Sequence, residues 1–282
     1  MVAGRRWSGG AFVKRWVAIG ALLLYGAGAA GQAPAGQAGA NPPATPAPGH
    51  SAAKAPGAAS SSEVPTADQV LARYVRALGG EQALRRITSR VMKGKFEVPD
   101  QQLSGEAEID MAAPDSFYSR VRITDAGDYI QAYDGKAGWS SDPQQGVRDV
   151  TGRELEALHR SSQFQHELRF RQIFPQVRVL EKTVEEGRQV WVLEATPPNG
   201  AAERFYFDAE SGLLLRHDST QFTPEGEVPI EHRYSIYIAV DGVQVPSLLR
   251  HKDSAIEWQV KFTEIRNNVA IEAGKFAKPA AP

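Results

Sequence analysis

The sequence predicts an α+β fold that is mainly antiparallel β, built on one long sheet with helices at its start and in its middle. From about Arg90 to the C-terminus, short runs rich in β-branched and aromatic residues follow one another. Dipeptides like Asn-Gly and Asp-Gly favour the tight turns of β-hairpins, because glycine adopts positive φ angles at no steric cost. Turn dipeptides of this kind separate many of the runs: Asp134-Gly135, Glu186-Gly187, Asn199-Gly200, Ser211-Gly212, Glu225-Gly226 and Asp241-Gly242. Nothing in the pattern indicates parallel βαβ units.

The predicted folded part begins with a helix. Thr66 is a suitable N-cap, and Gln69 three residues later completes a capping box. Gly79-Gly80 ends the helix, and Glu81–Arg86 is expected to add one or two further helical turns. The apolar side chains of the first helix recur at helical spacing: Val70, Leu71, Tyr74, Val75 and Leu78.

Eleven runs are predicted to be strands. Alternation of apolar and polar side chains in the first four indicates one buried face and one wet face. These four are Val91–Val98, Leu103–Met111, Phe117–Ile123 and Tyr129–Tyr133. The other seven follow the mid-chain helices and are Val177–Val184, Gln189–Ala195, Arg204–Asp208, Leu213–Asp218, Glu231–Val240, Val243–His251 and Glu257–Arg266.

Two helices are predicted between these groups of strands. Thr151 and Glu154 form a second capping box at the start of the first one. The second helix is short and ends before Pro175, since proline cannot continue it. Its apolar side chains are Phe164, Leu168, Phe170, Ile173 and Phe174.

The N-terminal segment has the composition of an export signal. Basic residues precede the apolar run Trp16–Tyr25, and small residues follow it. Residues 1–33 are therefore predicted to be a signal peptide that directs the chain to the periplasm. An uncleaved inner-membrane anchor is the alternative, although the run is short for a bilayer span. Residues 34–62, almost wholly Ala, Pro, Gly and Ser, are predicted to be a disordered linker, and residues 63–282 one domain.

Composition and motifs argue against several function classes. The chain has no cysteine, which rules out disulfides, thiolate metal sites and a cysteine nucleophile. Its net charge is −1 without a Lys/Arg cluster, so nucleic acid is not an expected partner. No histidine pair has metal-ligand spacing, and nucleophile-elbow, P-loop and dinucleotide motifs are absent from the sequence. We therefore predict no enzyme, no metal and no cofactor. An exported hydrolase stays as a third alternative, which would require histidines and carboxylates clustered in the interior.

The aromatic side chains say more about function than the polar residues and motifs do, and they allow two interpretations. In the simple interpretation they fill an ordinary core. In the other, a long twisted sheet curls and leaves a concave apolar face, and the Phe-rich mid-chain segment covers a cavity for an apolar ligand. The candidate ligand-binding residues are Phe96, Phe117, Trp139, Phe164, Phe170, Phe174, Trp191 and Phe205.

The order of several short motifs resembles the periplasmic lipoprotein-carrier and lipoprotein-sorting family with the LolA/LolB-like fold. Gly105–Phe117 is similar to the second and third strands of that family, joined by a Pro-x-x-Phe corner, and Tyr133–Pro143 to its next hairpin. Arg204–Leu214 is similar to an aromatic strand that ends in Asp before a small turn, and Phe276 to the closing segment. The resemblance implies an incomplete β-barrel, with an N-terminal helix and mid-chain helices covering its concave face. Ala113 stands where carriers of the family commonly have an arginine before the corner proline, which departs from the pattern for lipoprotein handling.

The leading hypothesis is a periplasmic, non-enzymatic binding or carrier protein for lipid or lipoprotein acyl chains, with outer-membrane lipoprotein sorting as its most specific form. An inner- or outer-membrane protein is the expected protein partner. The alternative is an envelope scaffold or protein-interaction domain with a filled core and no ligand. A cavity of several hundred Å³ lined by Phe and Trp would favour the carrier, since ligand sites usually occupy about 300–1,000 Å³.

Overall fold

The computed structural model describes residues 64–223 and 226–280. The α-helices of this part are α1 (Ala67–Ala77), α2 (Glu81–Arg85), α3 (Gly152–Ser162) and α4 (Phe170–Ile173). The strands are β1 (Ser89–Val98), β2 (Leu103–Ala112), β3 (Ser116–Ile123), β4 (Gly127–Asp134), β5 (Gly138–Asp142), β6 (Gly146–Val150), β7 (Gln176–Glu185), β8 (Arg188–Thr196), β9 (Glu203–Asp208), β10 (Leu214–Thr223), β11 (Gly226–Val240), β12 (Val243–Lys252) and β13 (Glu257–Asn267). The predicted signal peptide and linker lie outside the described residues. No helix in the described part is both long enough and apolar enough to span a bilayer.

All these strands form one antiparallel sheet in the order β6-β5-β4-β3-β2-β1-β13-β12-β11-β10-β9-β8-β7. β6 and β7 are consecutive in the chain but lie at opposite edges of the sheet. The connection between them therefore crosses from one edge to the other, and it carries α3 and α4. The predicted fold class is confirmed: one long sheet that is not closed into a barrel, with helices over its concave face.

Two glycines allow the middle of the sheet to bend. A Cβ atom at Gly94 would lie 2.3 Å from the carbonyl oxygen of Lys261, and a Cβ atom at Gly105 would lie 2.0 Å from that of Arg122. Neighbouring backbones approach this closely only because both positions lack a side chain. The pairing of β1 with β13 also shifts register between Lys93 and Gly94, and such irregularities increase strand bending.

The first predicted capping box is confirmed, and the second is wrong. The Thr66 hydroxyl accepts a hydrogen bond from the Gln69 N–H at 3.2 Å, and the Gln69 side chain accepts one from the Thr66 N–H at 2.7 Å. Thr151 is the N-cap of α3, but its side chain makes no capping hydrogen bond. Glu154 forms an ion pair with Arg148 at 2.6 Å instead, because β6 brings a guanidinium within reach.

Other differences concern element boundaries in the middle of the chain. β5 and β6 are absent from the eleven predicted strands. α4 contains only four residues, so Phe164 and Leu168 precede it in an irregular segment. Gln165 adopts a φ of 58°, which is incompatible with a continuous helix through this segment.

The main hydrophobic core lies between the sheet and the helices. Along β8, Leu193 and Ala195 belong to this core, whereas Val190 and Val192 pack with Tyr206 in a smaller cluster. Because side chains alternate between the faces of a strand, Trp191 shares the helix-covered face with Leu193.

Candidate functional site

The connection between the two sheet edges covers the concave face, and we call residues 151–175 the cover segment. Its C-terminal half is apolar and tightly packed. The ring centroids of Phe170 and Phe174 lie 4.9 and 5.4 Å from that of Phe205 on β9, and 5.0 Å from each other. These separations are those of well-packed aromatic pairs, so this half of the cover is part of the core.

The N-terminal half of the cover segment, α3, is attached differently. Leu158 and Ser162 are its buried residues. Ion pairs supply much of its remaining attachment: Arg148–Glu154 at 2.6 Å, Arg160–Glu203 at 3.1 Å, and Arg153–Glu227. Of these three pairs Arg153–Glu227 is exposed, and such pairs contribute at most about 1 kcal/mol, whereas the other two are partly buried. Polar contacts thus attach α3, while aromatic packing attaches the Phe-rich half.

Six of the eight predicted ligand-binding residues lie in the main core under the helices, each no more than 4% exposed. They are Phe96, Phe117, Phe164, Phe170, Phe174 and Phe205. Trp191 is half-buried at the rim of the same core, beside a groove of about 430 Å³ between α1 and β9.

Trp139 is separate from the other predicted site residues. It packs with Tyr118, Ala132 and Phe276 in a distinct cluster, and its indole N–H donates to the Phe276 carbonyl oxygen at 2.9 Å. The Lys275 ammonium lies 4.3 Å from the centre of the Tyr118 ring. Trp139 thus fixes the C-terminal segment and does not line the space beneath the cover.

A row of buried histidines crosses the concave face, and sequence reasoning missed it. His217, His232 and His251 are direct cross-strand partners on β10, β11 and β12, and Trp258 continues the row on β13. For one of these pairs the sequence does contain a signal. His232 precedes Asp241 by as many residues as His251 follows Gly242. Residues equidistant from a two-residue hairpin turn face each other across the strands.

Carboxylates lie at both ends of the histidine row. The ring nitrogen Nε2 of His217 lies 2.7 Å from Glu203 Oε2, and His251 Nε2 lies 3.5 Å from Asp253 Oδ2. His251 Nδ1 and His232 Nε2 are 3.1 Å apart. Burial, followed by the nearby histidines, lowers the pKa of His232, so it is neutral at pH 7. Within the described residues, no three His, Asp or Glu side chains are arranged to hold a metal ion.

The interior contains two small cavities. One, of about 50 Å³, lies beneath α3 and is lined in part by Gln131, Glu203 and His217. The other, of about 30 Å³, lies between α1, α2, β11 and the cover segment. Both are far smaller than a typical ligand site of about 300–1,000 Å³. An acyl chain could enter only if the cover segment moved or the phenylalanine rings were displaced.

Comparison with known proteins supports the fold assignment. No family model and no curated protein sequence matches the chain. A DUF1329-family protein from Desulfovibrio piger superposes with a TM-score of 0.52 at 14% identity, covering 74% of this chain and 96% of that one. A LolA-superfamily protein from Nitrosomonas europaea superposes with a TM-score of 0.51 at 11% identity, covering 76% and 99%. The resemblance seen in the motif order is confirmed at the level of the fold.

Proposed function

We propose that the protein is an exported, non-enzymatic binding or carrier protein that takes lipid or lipoprotein acyl chains into the space beneath the cover segment. The single observation that carries this proposal is the Phe-rich cover across the concave face of a LolA-like half-barrel. Each methylene removed from water contributes roughly 0.8 kcal/mol, so a chain of a dozen carbons could bind without a specific polar contact. The proposed site residues are the aromatic side chains of the cover segment and those of the sheet face beneath it.

The most specific form of the proposal is transfer of lipoproteins across the periplasm, with a membrane protein as donor or acceptor. Here the corner residues contact the cover itself. The N–H of Phe164 donates to the Pro114 carbonyl oxygen at 2.9 Å, and Arg169 pairs with Asp115 at 3.0 Å. Ala113 contributes no charge at this corner, so the Arg169–Asp115 ion pair is the charged contact between the corner and the cover.

The small interior cavities favour a second candidate, an envelope scaffold whose filled core holds no ligand. In that case the cover segment would be a permanent part of the core. The two candidates differ in one measurable property, which is whether the cover must open for an acyl chain to bind.

A cross-link across the cover tests this difference. Arg153 on α3 and Glu227 on β11 form an ion pair, and the absence of native cysteine makes R153C/E227C the only thiol pair in the chain. Bridging it with a short bismaleimide should weaken binding of a fluorescent fatty-acid probe at least about tenfold, or 1.4 kcal/mol. The same variant with its thiols blocked separately should bind like the wild type.

The matched control places the same bridge outside the cover. Lys95 and Glu106 form an exposed cross-strand ion pair on β1 and β2, so bridged K95C/E106C should keep wild-type affinity. Undiminished binding by the bridged R153C/E227C protein would show that the probe does not enter beneath α3. Failure of the wild type to bind any acyl probe would refute the carrier and favour the scaffold.

The histidine row provides the clustered histidines and carboxylates that a hydrolase would need. His217 and His251 are almost fully buried, and the cavity beside His217 and Glu203 has room for little more than water. We therefore expect the protein to hydrolyse p-nitrophenyl esters no faster than buffer does. A rate that falls in the variant His217→Ala but not in the exposed control His159→Ala would instead establish the enzyme.

A further inference from the structure

Arg90 is a buried cation on the concave face. It lies at the start of β1, is 8% exposed, and donates from Nε to Asn267 Oδ1 at 2.8 Å. Within the described part of the chain, its guanidinium forms no ion pair with a carboxylate at 4.0 Å or less. Burial lowers the pKa of Arg90, but arginine keeps its proton at any ordinary pH. A charge held in the interior without an ionic partner is costly, which makes this position unusual.

Glu167 faces the same region from the cover segment. It is 6% exposed, and its Oε2 atom makes no hydrogen bond among the described residues. Burial raises the pKa of Glu167 to about 8, outweighing the opposing effects of a hydrogen bond from its own backbone N–H and of Arg90. The side chain is therefore protonated at pH 7 and can donate a hydrogen bond.

The cavity of about 30 Å³ lies between Arg90 and Glu167. Tyr74, Tyr234 and Tyr237 also line it, and burial raises the pKa of the latter two, so their hydroxyl groups stay protonated. Most of the other walls are apolar. The Tyr237 hydroxyl already donates to the Leu214 carbonyl oxygen at 2.8 Å, so the cavity offers a ligand the positive charge of Arg90 and the carboxyl proton of Glu167 within largely apolar walls.

We propose that Arg90 and Glu167 bind the anionic headgroup, a carboxylate or a phosphate, of an amphiphile whose acyl chain occupies the interior. This inference rests on the proposed function and specifies its ligand class. A guanidinium makes strong, paired hydrogen bonds to either group, and the protonated Glu167 adds a donor. Arg90 belongs to the sheet and Glu167 to the cover segment. Opening the cover would therefore move the two side chains apart, and the cavity between them would become large enough for a headgroup.

The test compares three ligands that share one chain: oleate, oleyl phosphate and oleyl alcohol. At pH 7 the wild type should bind at least one of the two anions about tenfold or more tightly than the alcohol, as one charged hydrogen bond would provide. The variant Arg90→Gln should lose this preference and keep its affinity for the alcohol. The variant Arg86→Gln, which alters an exposed arginine near the end of α2, should behave like the wild type.

A second readout does not depend on the folding of the Arg90 variant. Groups that face Glu167 are Arg90 on β1, Tyr74 on α1, and Tyr234 and Tyr237 on β11. Raising the pH from 7 to 9 ionises Glu167 and places a like charge beside the headgroup. The preference of the wild type for the anion should then fall, while alcohol binding stays constant.

The outcomes separate this inference from the proposed function. Equal affinity of the wild type for all three ligands overturns the headgroup site but leaves acyl-chain binding intact. A preference that survives Arg90→Gln and is unchanged at pH 9 also overturns it. Binding of none of the ligands refutes the proposed function and the headgroup site together. The tighter of the two anions identifies the headgroup as a carboxylate or a phosphate.

Discussion

Replacing Phe205 by alanine is expected to lower the free energy of unfolding by about 3–5 kcal/mol, the usual cost of removing a buried aromatic ring. The Phe205 ring is fully buried between the sheet and the cover segment. It contacts Phe170 and Phe174 on one side and stacks on His217, with ring centres 4.3 Å apart. The surrounding strand and helix cannot both collapse into the space, so a cavity remains. Urea denaturation with a constant m-value measures the loss.

Trp191→Ala is the matched control for Phe205→Ala. Trp191 lies two strand positions from Leu193, the direct cross-strand partner of Phe205, but it is only half-buried, at the rim of the groove beside α1. Its truncation should therefore cost roughly half as much or less, since less area is returned to water. A loss below about 1 kcal/mol for Phe205→Ala would contradict tight packing beneath the cover.

Much of the fold could be predicted because its signals are local. Gly-containing turns and period-2 alternation identify most strands, and the Thr66 cap fixes the start of α1. Residue preference did not identify β5 because Gly138, Ser140 and Ser141 give it little β propensity, and only the resemblance placed a hairpin at Tyr133–Pro143. Hairpin turns make consecutive strands neighbours, whereas the pairing of β1 with β13 joins segments far apart in the sequence.

The site was harder to predict because alternation does not identify the concave face. Trp139 and Phe117 are both buried, yet they lie on opposite faces of the sheet. Trp139 is buried only because residues near Phe276 return across the outer face, a contact between positions far apart in the sequence. Spacing along the chain could not distinguish these two kinds of burial.

The buried polar groups could not be predicted either, because they also come together only through contacts between distant parts of the chain. Arg90 and Glu167 approach each other only after the cover segment crosses the sheet, and neither belongs to a motif. The pairing of His232 with His251 could have been predicted from the Asp241-Gly242 turn, whereas the Glu225-Gly226 turn does not place His217 opposite His232. The burial of the row could not be predicted, because His217 and His232 alternate with polar neighbours on strands that appear exposed in sequence.

Glu167→Gln is expected to make the protein more stable than the wild type at alkaline pH. The folded state raises the pKa of Glu167 from its ordinary value of 4.5 to about 8 by burial. A raised carboxyl pKa gives stability that is fully present below pH 4.5 and is lost as the pH rises through 8. Each pKa unit corresponds to about 1.4 kcal/mol, so the wild type should lose up to about 5 kcal/mol relative to the glutamine variant between pH 4.5 and 9.

The measurement is the free energy of unfolding of both proteins across this pH range. Burial lowers the pKa values of His166 and His232, so these histidines destabilise the protein as the pH falls below 6.5. Because both proteins contain them, the difference between the two curves removes this contribution. Glu156→Gln on the exposed side of α3 is the matched control and should follow the wild type at every pH. Parallel curves for the wild type and Glu167→Gln would mean that Glu167 is already ionised when folded. It would then be a counter-ion for Arg90, and the positive charge assigned to the headgroup would no longer be available.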